Sequence, residues 1–254
     1  MVSGGRNSNA TPAQSPNVSG NFNTTLLYMG ASNGGIAIKT DTSKVELLNV
    51  VKDLFGNDFE KSDSYCDSRN NDCVYIGKTK EFLIIVNTDF AYKFFENQNT
   101  ESIQNYLDYF SKPDFVFAFE EYDSGGTYSY SLIYNGIVTR QFRSISYDTK
   151  IDFGNLEQAE LKWKNAETIK DDSEDGEYEI LYKDPTRDFS CLKEQLPQVM
   201  LQELMYEKLG FASWNMDEFM IEQGHFKKVS TTNLERQNQS VIEQDKKKPW
   251  WKIW

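Results

Sequence analysis

Apolar residues along this chain fall into short runs parted by polar turns, with three stretches of helical period among them. Residues 26–29 form one apolar run, closed by Gly30, and residues 36–38 form another. The turn signal Asn33-Gly34-Gly35 lies between them. Val45, Leu47, Leu48, Val51, Leu54 and Phe55 recur at three- and four-residue spacings, which predicts a helix. Ser43 and Glu46 have capping-box spacing at its start, and Gly56 suits a left-handed cap at its end. Residues 57–72 read as polar loop. Residues 73–76 and 82–86 read as strands, and residues 90–95 as an extension of the same sheet. Ile103, Tyr106, Leu107 and Phe110 stripe a second helix that begins near Asn99 or Thr100 and stops before Pro113.

The run Phe115-Val116-Phe117-Ala118-Phe119 is apolar throughout, as a strand buried on both faces must be. Asp123-Ser124-Gly125-Gly126 turns the chain, and Tyr128, Tyr130, Leu132 and Tyr134 then mark a strand. Asn135-Gly136 is the pair that a two-residue type I′ hairpin demands, because both positions need positive φ; residues 137–142 return. Beyond Ser146 the pattern weakens. Residues 177–182 read as one more strand. Pro197 opens a third helix through Met200, Leu201, Leu204, Met205 and Leu209, ended by Gly210. Residues 219–221 and 226–229 are short pieces of either type.

Strands outnumber helices and occur in runs, so the expected class is α+β, with a mostly antiparallel sheet, about three helices and disordered N- and C-terminal tails. The expected division is a polar leader over residues 1–22, a domain over 23–229, a polar linker over 230–245 and a Lys/Trp-rich tail over 246–254.

Charge narrows the function classes. The 254 residues carry 39 acids against 27 Lys and Arg, a net charge of −12. That balance argues against general nucleic-acid binding, which needs a basic face, though it leaves room for a local basic patch, and it suits a basic partner. Residues 155–195 hold 12 of the acids and 6 bases, and read as a solvated acidic face. No stretch reaches the roughly 18 apolar residues of a membrane span, and residues 1–21 contain no apolar run of the signal-peptide kind. Three cysteines do not make a disulfide framework. Cys66 and Cys73 flank a polar loop they could close, but the default is a cytoplasmic protein with free thiols.

Candidate chemistry is sparse. His225 is the only histidine, and no nucleophile elbow or metal-ligand spacing surrounds it, so no cofactor or metal is expected. Asp171, Ser173, Asp175 and Gly176 mimic positions one, three, five and six of an EF-hand loop, but Tyr182 stands where the bidentate Glu belongs. Gly34-Gly35 and Gly125-Gly126 read as turns. Glu120, Glu121 and Asp123 leave the central strand together and could make an acid/base pair of a hydrolase or a metal site, though nothing else in the sequence supplies the rest of either. The sharpest feature is residues 246–254, Lys-Lys-Lys-Pro-Trp-Trp-Lys-Ile-Trp, which hold three of the five tryptophans. Trp250, Trp251 and Trp254, interleaved with Lys248 and Lys252, suit a groove on a protein partner, a membrane surface, or a patch on the chain's own body.

Tyr28-Met29-Gly30-Ala31 and the stretch Ile137-Val138-Thr139-Arg140-Gln141-Phe142-Arg143-Ser144-Ile145-Ser146 resemble a family of uncharacterised bacterial domains of unknown function, over roughly residues 24–165. The resemblance implies a leading strand, an early helix, a central apolar strand and a hairpin; it implies no activity. The expected function is therefore a bacterial, non-enzymatic protein-interaction factor, with an acidic body and a Trp-rich docking tail, of the immunity or defence type. A carboxylate hydrolase and a peripheral membrane adaptor are the alternatives.

Overall fold

The computed structural model describes residues 32–96, 100–172 and 178–229. In chain order the elements are β1 (Ser32–Lys39), α1 (Leu47–Phe55), β2 (Phe59–Ser62), β3 (Cys73–Lys78), β4 (Phe82–Val86), α2 (Thr88–Tyr92), α3 (Gln104–Tyr109) and β5 (Phe115–Tyr122). There follow β6 (Thr127–Tyr134), β7 (Ile137–Ile145), β8 (Asp148–Gly154), α4 (Gln158–Lys164), β9 (Glu167–Asp172), β10 (Tyr178–Lys183), β11 (Ser190–Leu192), α5 (Leu196–Leu209) and β12 (Glu222–Lys228). The fold is α+β. Nine strands form one antiparallel sheet in the order β2-β12-β3-β4-β1-β5-β6-β7-β8, and three form a small sheet, β11-β10-β9. The described residues contain five α-helices where about three were expected.

The large sheet is covered on both faces, which explains the unbroken apolar run in β5. Ile36, Ile38, Val116 and Ala118 face α1 and α2 through Val50, Val51 and Phe90. Ala37, Phe117, Phe119, Tyr130 and Leu132 face α5 through Leu201, Leu204 and Met205. A strand alternates its side chains between faces, so a core on both sides requires apolar residues at every position. The hairpin forms as its turn chemistry requires, with Asn135 at φ 50° and Gly136 at φ 76°.

Several local expectations give way to packing. Gly34-Gly35 is not a turn but the middle of β1. A Cβ on Gly35 would fall 2.8 Å from the Ile85 carbonyl oxygen and 2.9 Å from the Phe119 ring, so glycine is there for close approach. Residues 90–95 do not extend the sheet: Asn87 accepts from the Phe90 amide and caps the short helix α2, which lays Phe90, Phe94 and Phe95 on the core. The Ser43/Glu46 box is absent too. Asp41 caps a 3-10 turn, and α1 begins at Leu47. Within the expected loop 57–72, Phe59–Ser62 pairs with β12 as the edge strand. The strand expected at residues 26–29, the leader, the linker and the tail lie outside the described residues.

Cys66 and Cys73 are joined in a disulfide and Cys191 is a buried free thiol, which corrects the expectation of three free thiols. Disulfides persist in oxidising compartments, so this bond pulls against the cytoplasmic location. No helix among the described residues is long and apolar enough to cross a membrane.

The stretch 155–195 is not simply a solvated acidic face. Glu160 of α4 is buried against Arg140 of β7, accepting from Nε at 2.9 Å and Nη2 at 2.5 Å, and from the Tyr130 hydroxyl at 2.5 Å. Asp184 is buried among Lys162 Nζ (2.8 Å), Arg187 Nε (2.7 Å) and the Thr186 hydroxyl (2.7 Å). Those cations hold its carboxyl far below the usual carboxylate range. Lys162 and Arg187 also bind Glu203, which accepts from the Trp163 indole N–H at 2.9 Å. The first network fastens α4 to β6 and β7 of the large sheet, and the second fastens α4 and the small sheet to α5.

Candidate functional site

β5 carries its carboxylates to opposite sides of the sheet. Glu121 lies on the α5 face, where it accepts from Gln202 Nε2 at 2.8 Å, Gln198 Nε2 at 3.2 Å and the Ser213 hydroxyl at 2.5 Å. Asp123 joins that group through Gln198 at 3.0 Å and the Tyr128 hydroxyl at 3.1 Å. Glu120 faces the other way, beside Ser129 of β6 and Arg143 of β7, whose Nη2 is 3.4 Å from its Oε2. Of the three carboxylates singled out in the sequence, Glu121 and Asp123 therefore share the Gln198 amide on the α5 face, and Glu120 is parted from them, because adjacent residues of a strand cannot share a face.

Around Glu120 the sheet carries a polar layer. Ser129 and Arg143 continue its row, and Ser131 and Gln141 form the next. Tyr92 lies 4.8 Å below the Arg143 guanidinium, and the Phe94 carbonyl accepts from Gln141 Nε2 at 3.4 Å. Glu120 Oε2, both serine hydroxyls, Gln141 Oε1 and Arg143 Nε find no hydrogen-bond partner among the described residues. Sequence reading missed this layer, since Ser129 and Ser131 look like the solvent side of a half-exposed strand.

Burial pushes the carboxyls of Glu120 and Glu121 above the ordinary range, against Arg143 in one case and three donors in the other. A folded-state pKa above the unfolded value means that the folded state binds more protons, so stability falls as pH rises from about 4.3 through the raised value. Asp184 has the opposite sign: its contribution is full above about 3.9 and lost as pH falls towards its depressed value. His225, whose protonation partial burial disfavours, adds stability as pH rises towards about 6.5. The Glu120→Gln variant removes one of these contributions. Its urea midpoint, measured from about pH 4 to pH 8 so that the window opens at the unfolded value of about 4.3, should fall less with pH than that of the native chain. Parallel curves would show that Glu120 is not a buried, reluctantly ionised acid.

An open groove of about 580 Å³ lies at the Lys39 end of the sheet. Its floor is Phe82, Phe115, Tyr134, Leu209 and Phe211; its edges are Phe219 and Ile221, with Lys39, Lys80, Glu81, Glu207 and Lys208 around them. Phe219 stacks on Phe211 at 5.6 Å and stays 44% exposed, and Ile221 is 62% exposed. The backbone holds them there: the Ile221 amide donates to the Lys78 carbonyl at 2.8 Å, just before β12 enters the sheet. The apolar fragments at residues 219–221 were visible in the sequence, but not their convergence with β4, β5 and α5.

His225 packs between Tyr65 and Tyr75, with ring centroids at 5.3 and 4.8 Å. No cysteine meets it in a catalytic arrangement: Cys66 and Cys73 are bonded to each other, and burial pushes the Cys191 thiol up to about 12. Among the described residues no group of three His, Cys, Asp or Glu side chains could hold a metal ion. Trp250, Trp251, Trp254, Lys248 and Lys252, and the EF-hand-like residues 173–176, lie outside the described residues. No family model, curated protein or solved structure matches this chain.

Proposed function

We propose that this chain is a non-enzymatic protein-interaction factor that engages a basic protein partner through its acidic body and the Trp-rich segment 246–254. The observation that carries this reading is the apolar edge of the groove. Phe219 and Ile221 stand exposed over an aromatic floor, with Lys39, Lys80, Lys208, Glu81 and Glu207 around them, so apolar contact acts at the groove and the acidic balance lies elsewhere on the body. An apolar centre with a polar rim is the anatomy of a protein-binding surface. The net charge of −12 adds steering towards a basic partner, the electrostatic logic of an inhibitor of the immunity or defence type. The resemblance to uncharacterised bacterial domains is compatible with this class and adds no activity. For the hydrolase alternative the divergence of Glu120 leaves Glu121 and Asp123, which share the Gln198 amide, as the carboxylates that could act as a pair.

The test is affinity capture from the source lysate with three baits: the native chain, an Ile221→Asp variant, and a chain with Trp250, Trp251 and Trp254 all changed to Ala. The expected result is a basic protein retained by the native bait, lost from at least one variant, and released as salt rises above about 0.5 M, where screening shortens to a few Å. Identical captures by all three baits would overturn the proposal.

A further inference from the structure

We infer that the groove at the Lys39 end of the sheet is the docking site of the chain's own segment 246–254, so that the body covers its Trp-rich segment when no partner is present. This inference does not depend on the partner proposed above.

The first argument is shape and chemistry. The groove is open and of about 580 Å³; exposed Phe219 offers an aromatic face over the edges of the buried rings Phe82, Phe115 and Phe211. Indoles pack well on such faces, and residues 250–254 offer three of them with one isoleucine. Of the two carboxylates at the edge, Glu207 already pairs with Lys208 at 2.8 Å, so Glu81 is the acceptor a lysine ammonium of the segment would reach. Lys39 and Lys80 stand there too, so apolar contact and not charge would hold the segment in place. The charge argument is one of approach: residues 244–254 carry +3 on a chain of net −12.

The second argument is reach. The described chain ends at Val229, eight residues past Ile221 on the groove edge. At roughly 3.4 Å per strand residue, that endpoint is at most about 27 Å from the groove. Residues 230–245 place 16 mostly polar residues between that endpoint and the segment. A random-coil chain of 16 residues would have an end-to-end distance of about 20–24 Å, and a fully extended one would reach about 50 Å. A tether whose ordinary length matches the span gives an effective concentration near the millimolar range. Even a contact of ~100 μM affinity would then be closed about nine times in ten.

The test uses a fluorescein-labelled peptide of residues 244–254, titrated into the native full-length chain and into a full-length chain with Trp250, Trp251 and Trp254 all changed to Ala. The expected result is binding to the Ala-substituted chain at least tenfold tighter than to the native one, because the native groove is already filled. Adding Ile221→Asp to the substituted chain should weaken the peptide at least tenfold. Ile221 is exposed, so circular dichroism and Tm should stay near those of the parent chain. No binding to the substituted chain would overturn the inference, as would binding indifferent to Ile221→Asp. Light scattering across a hundredfold range of concentration covers the other occupant. A native dimer that disappears with the three Trp→Ala changes would place the segment on a second copy and overturn docking within one chain. A lysate partner could still be captured if this experiment fails, so the two readings fall separately.

Discussion

Replacing Glu160 by Ala is expected to cost about 3–5 kcal/mol of folding stability, among the largest effects of any single change in this protein. The reason is what the change leaves behind. Arg140 is 1% exposed, and Glu160 supplies its bidentate partner. The remaining ion pair, to Asp152 at 2.6 Å, ends on a carboxylate that is more than half exposed. A pair of that kind contributes about 0–1 kcal/mol and cannot offset a buried guanidinium. The Tyr130 hydroxyl loses its acceptor as well. Urea unfolding at pH 7 measures the loss, and the double variant Arg140→Met with Glu160→Leu separates charge from packing. Because apolar replacements of similar size are often neutral at buried ion pairs, the double variant should regain most of the stability that Glu160→Ala loses. A Glu160→Ala loss below 1 kcal/mol would mean that Arg140 is not held in a dry site.

The Trp163→Ala change is expected to cost about 3–5 kcal/mol as well, through a different mechanism. Trp163 is 1% exposed and fills the space between α4, the small sheet and α5, against Phe189, Cys191 and Val199. Truncation leaves a cavity that ion pairs on either side prevent from closing. Trp163→Phe keeps much of the volume and loses only the indole hydrogen bond to Glu203. Glu203 retains Lys162 and Arg187, so about 1.5 kcal/mol is expected for that variant. Hydrogen exchange gives a second readout. In the Ala variant the amides of β9, β10 and β11 should lose protection before those of β4, β5 and β6, because the small sheet is fastened only from one side. Uniform loss across both sheets would show that the two layers unfold as a single unit.

The element types were legible wherever a local rule coincided with the tertiary outcome. Asn135-Gly136 specifies its hairpin because the turn itself needs positive φ. The 115–119 run specifies a strand covered on both faces. Gly210 ends α5 at φ 84°, and residues 73–76 and 82–86 are strands because their apolar character has no helical period. Misreadings arose where a residue answers to a distant neighbour. Gly35 looks like a turn until the Phe119 ring is beside it. Phe90, Phe94 and Phe95 look like strand residues until Asn87 caps α2 above the sheet. Edge strand β2 exists only because β12, more than 150 residues later, comes to lie beside it.

Of the candidate sites, the sequence located Glu120, Glu121 and Asp123 at the end of the central strand but could not divide them between faces until that strand was known to continue through Tyr122. It could not show that Glu160 and Asp184 leave the acidic stretch for buried cations, since composition counts charge without its partner. Nor could it assemble the groove, whose floor and edges come from β4, β5, β6, α5 and the turn before β12. Class, charge and turn chemistry are properties of neighbouring residues and can be read in order along the chain. Burial, the face a carboxylate takes, the Cys66–Cys73 bond and the groove depend on residues far apart in sequence. They are decided only when the sheet places those residues against one another.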